Sequence, residues 1–464
     1  MKRNRTLHAI CLLWFAGYAV GSALSAEPAK LEVHEWGTFT ILSGSDGAPL
    51  AWYQPESAQS DLPAFVYRNP VRLNSKVGTG TLILRKGPDE KPVTVAPPPL
   101  AEYAGIQPAR ARMETPVLYF YPEKPMPVKV HVSYDEGIFT ETFPHPSSLW
   151  WGIDANGGEG KHNQVDWSGQ LFPPSEPDGP KLTPAVGDRG AHYAHAREVP
   201  DAWWFREDGP KGGWEKFIFY RGASLGVPPL KVSASDDRHL KLESTGPGSE
   251  RSGWAFALQI QGERARWCVV PPFESRLTEG GKVLNATFGV DLGQVKEQSI
   301  AEVQQGISAA MHDVLVKEGL TAAEASAMIA TWKDLWFKED GTRILALLPN
   351  AWVNKTLPLA IDPTPTTLRR VFVGRMEIFT PSREDTLLTL LQQDSNPENS
   401  AKLAADFKDL RLGRFAAGAL TRAQTQLMIR SSDRFARLQG AGLPAEKALS
   451  ALPPGRNSVS QASN

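Results

Sequence analysis

Hydrophobic and polar positions divide the chain into a strand-rich body and a more helical last third. Val33 to Leu42 reads as a strand, and Ser43-Gly44-Ser45-Asp46-Gly47 supplies turn chemistry in which Asp-Gly suits positive φ. Ala48 to Gln54 reads as the returning strand, and Val77 to Arg85 as another, followed by a link through Pro97, Pro98 and Pro99. Val117 to Tyr121 is a dense apolar and aromatic strand. Val128, Val130 and Val132 alternate with Lys129, His131 and Ser133, the period of a half-buried strand. From 144 to 214 periodicity fades into a stretch rich in Gly, Pro, Trp and His; a long irregular segment inside a compact domain is usually functional or packs as a cover.

Strand patterns resume from Glu215 to about Val290, and helices follow. Val295, Ile300, Val303, Ile307, Met311 and Val314 form a helical stripe that stops at Gly319. Thr321 with Glu324 is a capping-box signature for a second helix, whose apolar face is Ala325, Met328, Ile329, Trp332 and Trp336 and whose end is Asp340-Gly341. Strands at Arg343 to Leu348 and Arg370 to Phe379 are split by a loop holding Pro358, Pro363 and Pro365. From Glu384 the pattern is helical again, with Leu403, Phe407 and Leu410 on one face. The expected fold is a β-rich α+β architecture: one or two β-sandwich-like modules followed by a C-terminal helical region. The divisions are 27–143 and 215–293 for the β-rich modules, 144–214 for the irregular segment, 294–380 for a helical hairpin with returning strands, 381–452 for C-terminal helices and 453–464 for a disordered tail. An internal echo supports duplication: Pro127, Lys129, Val130, Ser133, Asp135 and Glu141 recur at one constant offset as Pro229, Lys231, Val232, Ser235, Asp237 and Glu243.

The N-terminus adds a compartment. Lys2, Arg3 and Arg5 precede an apolar run from Leu7 to Leu24 and the small residues Ser25 and Ala26, the layout of a secretory signal peptide over 1–26. Secretion or a periplasmic location is the expectation, with no transmembrane segment after cleavage. Cleavage removes those three cations and Cys11, which leaves a mildly acidic chain with Cys268 as its one thiol and no internal disulfide. Cys268 sits in the apolar run Trp267-Cys268-Val269-Val270, the setting of a structural thiol. With 50 Lys+Arg against 51 Asp+Glu, the charge gives no case for a nucleic-acid partner. The locally basic stretch from Lys402 to Arg456 reads as a solvated helical face.

Four strings carry a resemblance: Val33-His34-Glu35-Trp36-Gly37-Thr38-Phe39-Thr40, Met113-Glu114-Thr115-Pro116-Val117-Leu118-Tyr119-Phe120-Tyr121, Glu215-Lys216-Phe217-Ile218-Phe219-Tyr220-Arg221-Gly222 and Val373-Gly374-Arg375-Met376-Glu377. Through them the chain resembles a family of exported bacterial proteins with no assigned activity, over about residues 31 to 380. The resemblance implies export and a β-rich body, and it transfers no catalytic role to any residue.

Chemistry must then be sought in the residues themselves. There is no H-E-x-x-H, G-x-S-x-G, P-loop or dinucleotide fingerprint. On a strand His34 and Glu35 point to opposite faces, so they do not form a shared site; Glu35 falls with Val33, Phe39 and Ile41 and needs an Arg or backbone partner. His145, His162, His192 and His195 are candidate ligands for a divalent metal such as zinc, with Glu159, Asp166 or Glu198 nearby. Of 14 tryptophans, Trp150, Trp151, Trp167, Trp203, Trp204 and Trp214 crowd one segment. Flat indole faces stack on sugar rings, and Asp166 with its polar neighbours can bind hydroxyls. The leading expectation is an exported protein that binds a cell-envelope or extracellular polysaccharide through Trp150, Trp151, Trp167, Trp203, Trp204 and Asp166. Alternatives are a metal-dependent hydrolase using the middle-segment histidines and a structural envelope component.

Overall fold

A computed structural model describes residues 30–50, 62–68, 82–84, 93–95, 110–150, 163–175, 182, 191–209, 212–224, 226–245, 252–274, 276–277, 283–284, 286–393, 415, 418, 419, 422, 423 and 426. The fold is a β-rich α+β architecture built in three layers. The middle layer is an 11-stranded sheet. Its principal strands are β1 (Leu31–Ser43), β2 (Ala111–Pro122), β4 (Gly137–Phe143), β7 (Ile218–Ser224), β10 (Ala255–Gln261), β11 (Arg264–Val270), β13 (Gly341–Leu347) and β15 (Thr367–Ile378). They lie in the order β11-β10-β13-β15-β1-β2-β7-β4. Strands from both expected modules thus share one sheet. β1 and β15 pair in parallel along their length, which ties the first described strand to one more than 300 residues later.

A second sheet of six strands includes β3 (Met126–Ser133), β5 (Gln164–Phe172), β6 (Trp204–Glu207) and β14 (Leu359–Asp362), with the short strands Ser148–Trp150 and Trp214–Glu215 at its margins. A third contains β8 (Leu230–Ala234), β9 (His239–Ser244) and β12 (Thr287–Asp291). Val128, Val130 and Val132 on β3, Val165, Trp167 and Leu171 on β5, and Val232 on β8 face Val33, Phe39, Phe120 and Phe372 of the large sheet across one continuous core. The opposite face of the large sheet is covered by α1 (Ala191–His195), α2 (Ile300–Lys317) and α3 (Ala322–Phe337). Here Trp36, Tyr119, Phe256 and Val373 meet Val303, Ile307, Met311, Trp332 and Trp336. Sandwiching hydrophobic faces between layers in this way is the main source of stabilisation, about 25 cal/mol for each Å² of apolar surface withdrawn from water.

The expected capping box of Thr321 with Glu324 opens α3, and a second one, Ser299 with Glu302, opens α2 five residues after the Val295 at which the apolar stripe begins. The helix between Pro349 and Leu357 is α4 (Asn350–Thr356), and α5 (Pro381–Gln393) follows β15. Gly37 marks the one irregularity of β1. The β1–β2 register slips between Trp36 and Thr38, opposite Thr115 and Pro116, and Thr115 takes a φ of 49°. The extra residue reverses the facing of β2: Ala111 and Met113 before the bulge, and Leu118 and Phe120 after it, all reach the same core. A Cβ on Gly37 would stand 2.6 Å from Phe372 Cε1, so a side chain does not fit there.

Two expectations need correction. The irregular segment supplies β5, β6 and the Trp214–Glu215 strand of the second sheet. β5 has perfect period-two burial, but its inward residues are Val165, Trp167, Gly169 and Leu171, and one of these four contributes no hydrophobic signal. The internal echo is not a repeat of structure. Its first copy crosses between sheets, because β3 pairs with β5 and β14 whereas β4 pairs with β7. Its second copy, β8 and β9, is a hairpin within one sheet. The helical reading at Leu403, Phe407 and Leu410, the tail 453–464 and the N-terminal 1–26 lie outside the described residues.

Candidate functional site

The second sheet buries one face and leaves the other in solvent. By strand parity its outward positions are Lys129, His131 and the buried Ser133 on β3, and the partly exposed Gln164, Asp166, Ser168, Gln170 and Phe172 on β5. Trp204 and Arg206 on β6 continue the face. The antiparallel register sets Asp166 directly opposite His131 and Gln164 directly opposite Ser133, which puts each pair on one face with Cβ atoms about 5 Å apart. At this end the side chains form a chain of hydrogen bonds. His131 Nδ1 lies 2.6 Å from Asp166 Oδ1, and His131 Nε2 lies 3.0 Å from Ser133 Oγ. Ser148, on the neighbouring short strand, donates to the second carboxylate oxygen of Asp166. An ionised carboxylate only accepts, so the proton of neutral His131 resides on Nδ1 and Nε2 accepts from the Ser133 hydroxyl.

Roughly 20 Å along β5, from Asp166 to Phe172 at about 3.4 Å per residue, the same face becomes aromatic. The Phe172 and Trp214 rings are 4.9 Å apart, and the Arg206 guanidinium sits 4.9 Å from the Phe172 centroid and 5.5 Å from that of Trp214. Lys216 places its ammonium 5.2 Å from the Trp204 centroid while donating to the Val199 carbonyl. Burial lowers the Lys216 pKa, against the opposing pull of Glu215. Phe172, Trp204, Arg206 and Trp214 are all partly exposed. The platform is anchored from beneath. Glu215, fully buried, accepts from Arg197 Nη2 at 2.7 Å, from the Tyr193 hydroxyl at 2.9 Å and from the Lys216 amide at 2.9 Å. This cluster ties α1 and the segment after it to the Trp214–Glu215 strand.

The expected ligand-binding residues separate by strand parity. Trp204 and Asp166 lie on the open face. Trp167 is only 1% exposed and donates its indole N–H to the Pro144 carbonyl, so it offers no stacking surface. Trp203 packs against the inner core. Trp150 lies on a strand beside β5, and Trp151 lies outside the described residues. Phe172, Arg206 and Trp214 take the places of the inward tryptophans.

Among the described residues the expected metal ligands do not converge. His192 Nδ1 donates to the Thr331 carbonyl at 2.5 Å and its ring stacks on Trp332. His195 Nδ1 is 3.2 Å from Glu198, and His145 packs edge-on against Tyr67. His162 lies outside the described residues. Imidazole Nε2 atoms can still ligate when Nδ1 is engaged, but no group of three or more His, Cys, Asp or Glu side chains is gathered for a metal among the described residues.

A cavity of about 550 Å³ lies between the large sheet and the C-terminal residues Phe415 and Ala419. Much of its charged wall is engaged within the protein: Glu377 with Arg343 and Arg375, Glu339 with Arg375, Lys338 with Asp334, and Asp340 with the Gly262 amide. His34 and Glu35 diverge as expected. His34 Nδ1 reaches Glu324 Oε2 at 3.0 Å and the Tyr121 hydroxyl donates to Oε1 of the same carboxylate, whereas Glu35 turns to Arg370 and Tyr220 in the other core. Cys268 is partly buried against the inner core, and burial raises its thiol pKa. Thiolate is the reactive form, so iodoacetamide is expected to modify the native protein slowly at pH 7 and the denatured protein at the rate of a free cysteine. Equal rates would contradict this placement.

No family model matches the chain, and no curated protein matches it.

Proposed function

We propose that this is an exported protein, secreted or periplasmic, that binds a cell-envelope or extracellular polysaccharide on the outer face of its second sheet. The observation that carries the reading is the partly exposed cluster of Phe172, Trp204, Arg206 and Trp214 on one solvent-facing surface. Indole and phenyl faces present apolar area to the C–H side of a sugar ring, and the guanidinium held against two rings offers fixed N–H donors to hydroxyls. Gln170, Ser168 and Asp166 extend a polar track from this platform along β5, as a linear polymer requires. The N-terminal charge and hydropathy pattern supports export. Binding of a soluble peptidoglycan digest and of an acidic extracellular polysaccharide is expected to weaken by about tenfold in Trp204→Ala and in Trp214→Ala, the loss of roughly 1.4 kcal/mol per anchor. Isothermal titration in which both variants bind as tightly as the parent protein, or in which the parent binds neither polymer, would defeat the reading.

A further inference from the structure

We propose that the polar end of the same face is a serine esterase centre, with Ser133 as nucleophile, His131 as general base, Asp166 as the group that orients the imidazole, and Gln164 as oxyanion donor. The connectivity is that of an acid–imidazole–serine relay: 2.6 Å from Asp166 Oδ1 to His131 Nδ1 and 3.0 Å from His131 Nε2 to Ser133 Oγ. Such relays recur on unrelated folds and are recognised by geometry and roles. Each member is placed by the strand pattern. His131 and Ser133 are two residues apart on β3 and so share a face, and the register brings Asp166 and Gln164 opposite them. The Asp166 carboxylate is held from its other side by Ser148, which fixes the plane against which the imidazole aligns. Ser133 is itself fixed, since its amide donates to the Pro358 carbonyl at 2.9 Å and it is only 8% exposed. His131 stays accessible, its side chain 37% exposed, so an ester can approach from solvent.

The chemistry balances without a further reagent. Ser133 Oγ attacks the carbonyl carbon of a carboxylic ester while its proton passes to His131 Nε2. The carbonyl oxygen takes the negative charge and accepts from the Gln164 carboxamide N–H, a donor type that suits an oxyanion. Collapse breaks the C–O bond to the alcohol, which leaves with the proton from His131. Water then attacks the acyl-serine, gives a proton to His131 Nε2, and the acid departs as Ser133 recovers its proton. The net reaction is ester plus water to acid plus alcohol. That the ester is borne on a polymer lying along β5 rests on the reading above; the relay itself does not.

The test uses diisopropyl fluorophosphate, a small probe that needs no polymer. The native protein is expected to gain one phosphoryl adduct by intact mass, mapped to Ser133 in a tryptic digest, and heat-denatured protein none. Ser133→Ala is expected to abolish the adduct, and His131→Ala and His131→Gln to slow it by about 100-fold. Gln164→Ala is expected to slow it by about 100-fold with Ser133 and His131 intact. Far-UV circular dichroism confirms that each outward-facing variant is folded. Absence of an adduct at Ser133 in the parent protein overturns the proposal, as does labelling there at an unchanged rate in folded His131→Gln. Polymer binding with no adduct rejects this centre alone; an adduct with no polymer binding rejects the binding platform alone.

Discussion

Glu377→Ala is expected to destabilise the protein by about 3–5 kcal/mol, the cost of breaking a buried ion pair by removing one partner. Glu377 is 3% exposed on β15 and accepts from Arg343 Nε at 2.9 Å, from Arg343 Nη2 at 3.2 Å and from Arg375 Nη2 at 3.0 Å. Without it two guanidiniums that cannot deprotonate stand together in the protein interior. The damage extends to α3, because Arg343 also donates to the Trp336, Glu339 and Asp340 carbonyls where that helix ends. Chemical denaturation of Glu377→Ala measures the loss, and a shift below about 1 kcal/mol would contradict the assignment. The same carboxylate carries a pH signature. Burial alone would raise its pKa, but the Arg343 and Arg375 charges outweigh burial and hold it below the ordinary value. A depressed folded pKa contributes stability that is present above the unfolded carboxyl range and is lost as pH falls through the folded value. Thermal melts from about pH 6 to pH 2 should therefore show a steeper acid loss in the parent protein than in Glu377→Gln, which has no proton to take up.

Much of the fold was legible because its elements obey simple periods. β1, β2, β3, β13 and β15 carry dense or alternating apolar residues, and α3 announces its start with Thr321/Glu324. The four strings that carry the resemblance lie on β15, β1, β2 and on β7 with the Trp214–Glu215 strand beside it, and β15-β1-β2-β7 are neighbours at the centre of the large sheet. Their charged residues are mostly interior, with Glu35, Glu114, Glu215, Arg221, Arg375 and Glu377 all buried. What sequence could not supply was sheet membership. Nothing local distinguishes β3, which leaves the large sheet, from β4, which joins it, and an offset match between 127–141 and 229–243 looked like duplication for that reason.

The site was legible by residue and not by partner. Alternation placed His131 and Ser133 on one face, and Asp166 stood out as a polar group among tryptophans, but the pairing of His131 with Asp166 depends on a β3–β5 register set by tertiary structure. Trp167 and Trp204 show how parity decides exposure: both are tryptophans of the same segment, yet one completes the core and the other is partly exposed beside Lys216. Arg206 was silent because an arginine on a short strand signals nothing until aromatic rings are found against its guanidinium.

Glu35 and Arg370 should be strongly coupled. Arg370 Nε lies 2.5 Å from Glu35 Oε2 across the parallel β1–β15 register, and Glu35 also accepts from the Tyr220 hydroxyl. Both charges are buried, so either Glu35→Met or Arg370→Met alone strands the other and is expected to cost about 3–5 kcal/mol. Removing both strands neither charge. The double variant still loses two hydrogen bonds of Arg370, to the Leu357 carbonyl and to Asn354 Oδ1 at the end of α4, so it is not neutral. It should nonetheless be more stable than the sum of the single losses implies, by about 2 kcal/mol or more in a double-mutant cycle. Additive losses would mean that the pair contributes only through separate contacts, and that the β1–β15 junction is held by its backbone ladder and apolar neighbours alone.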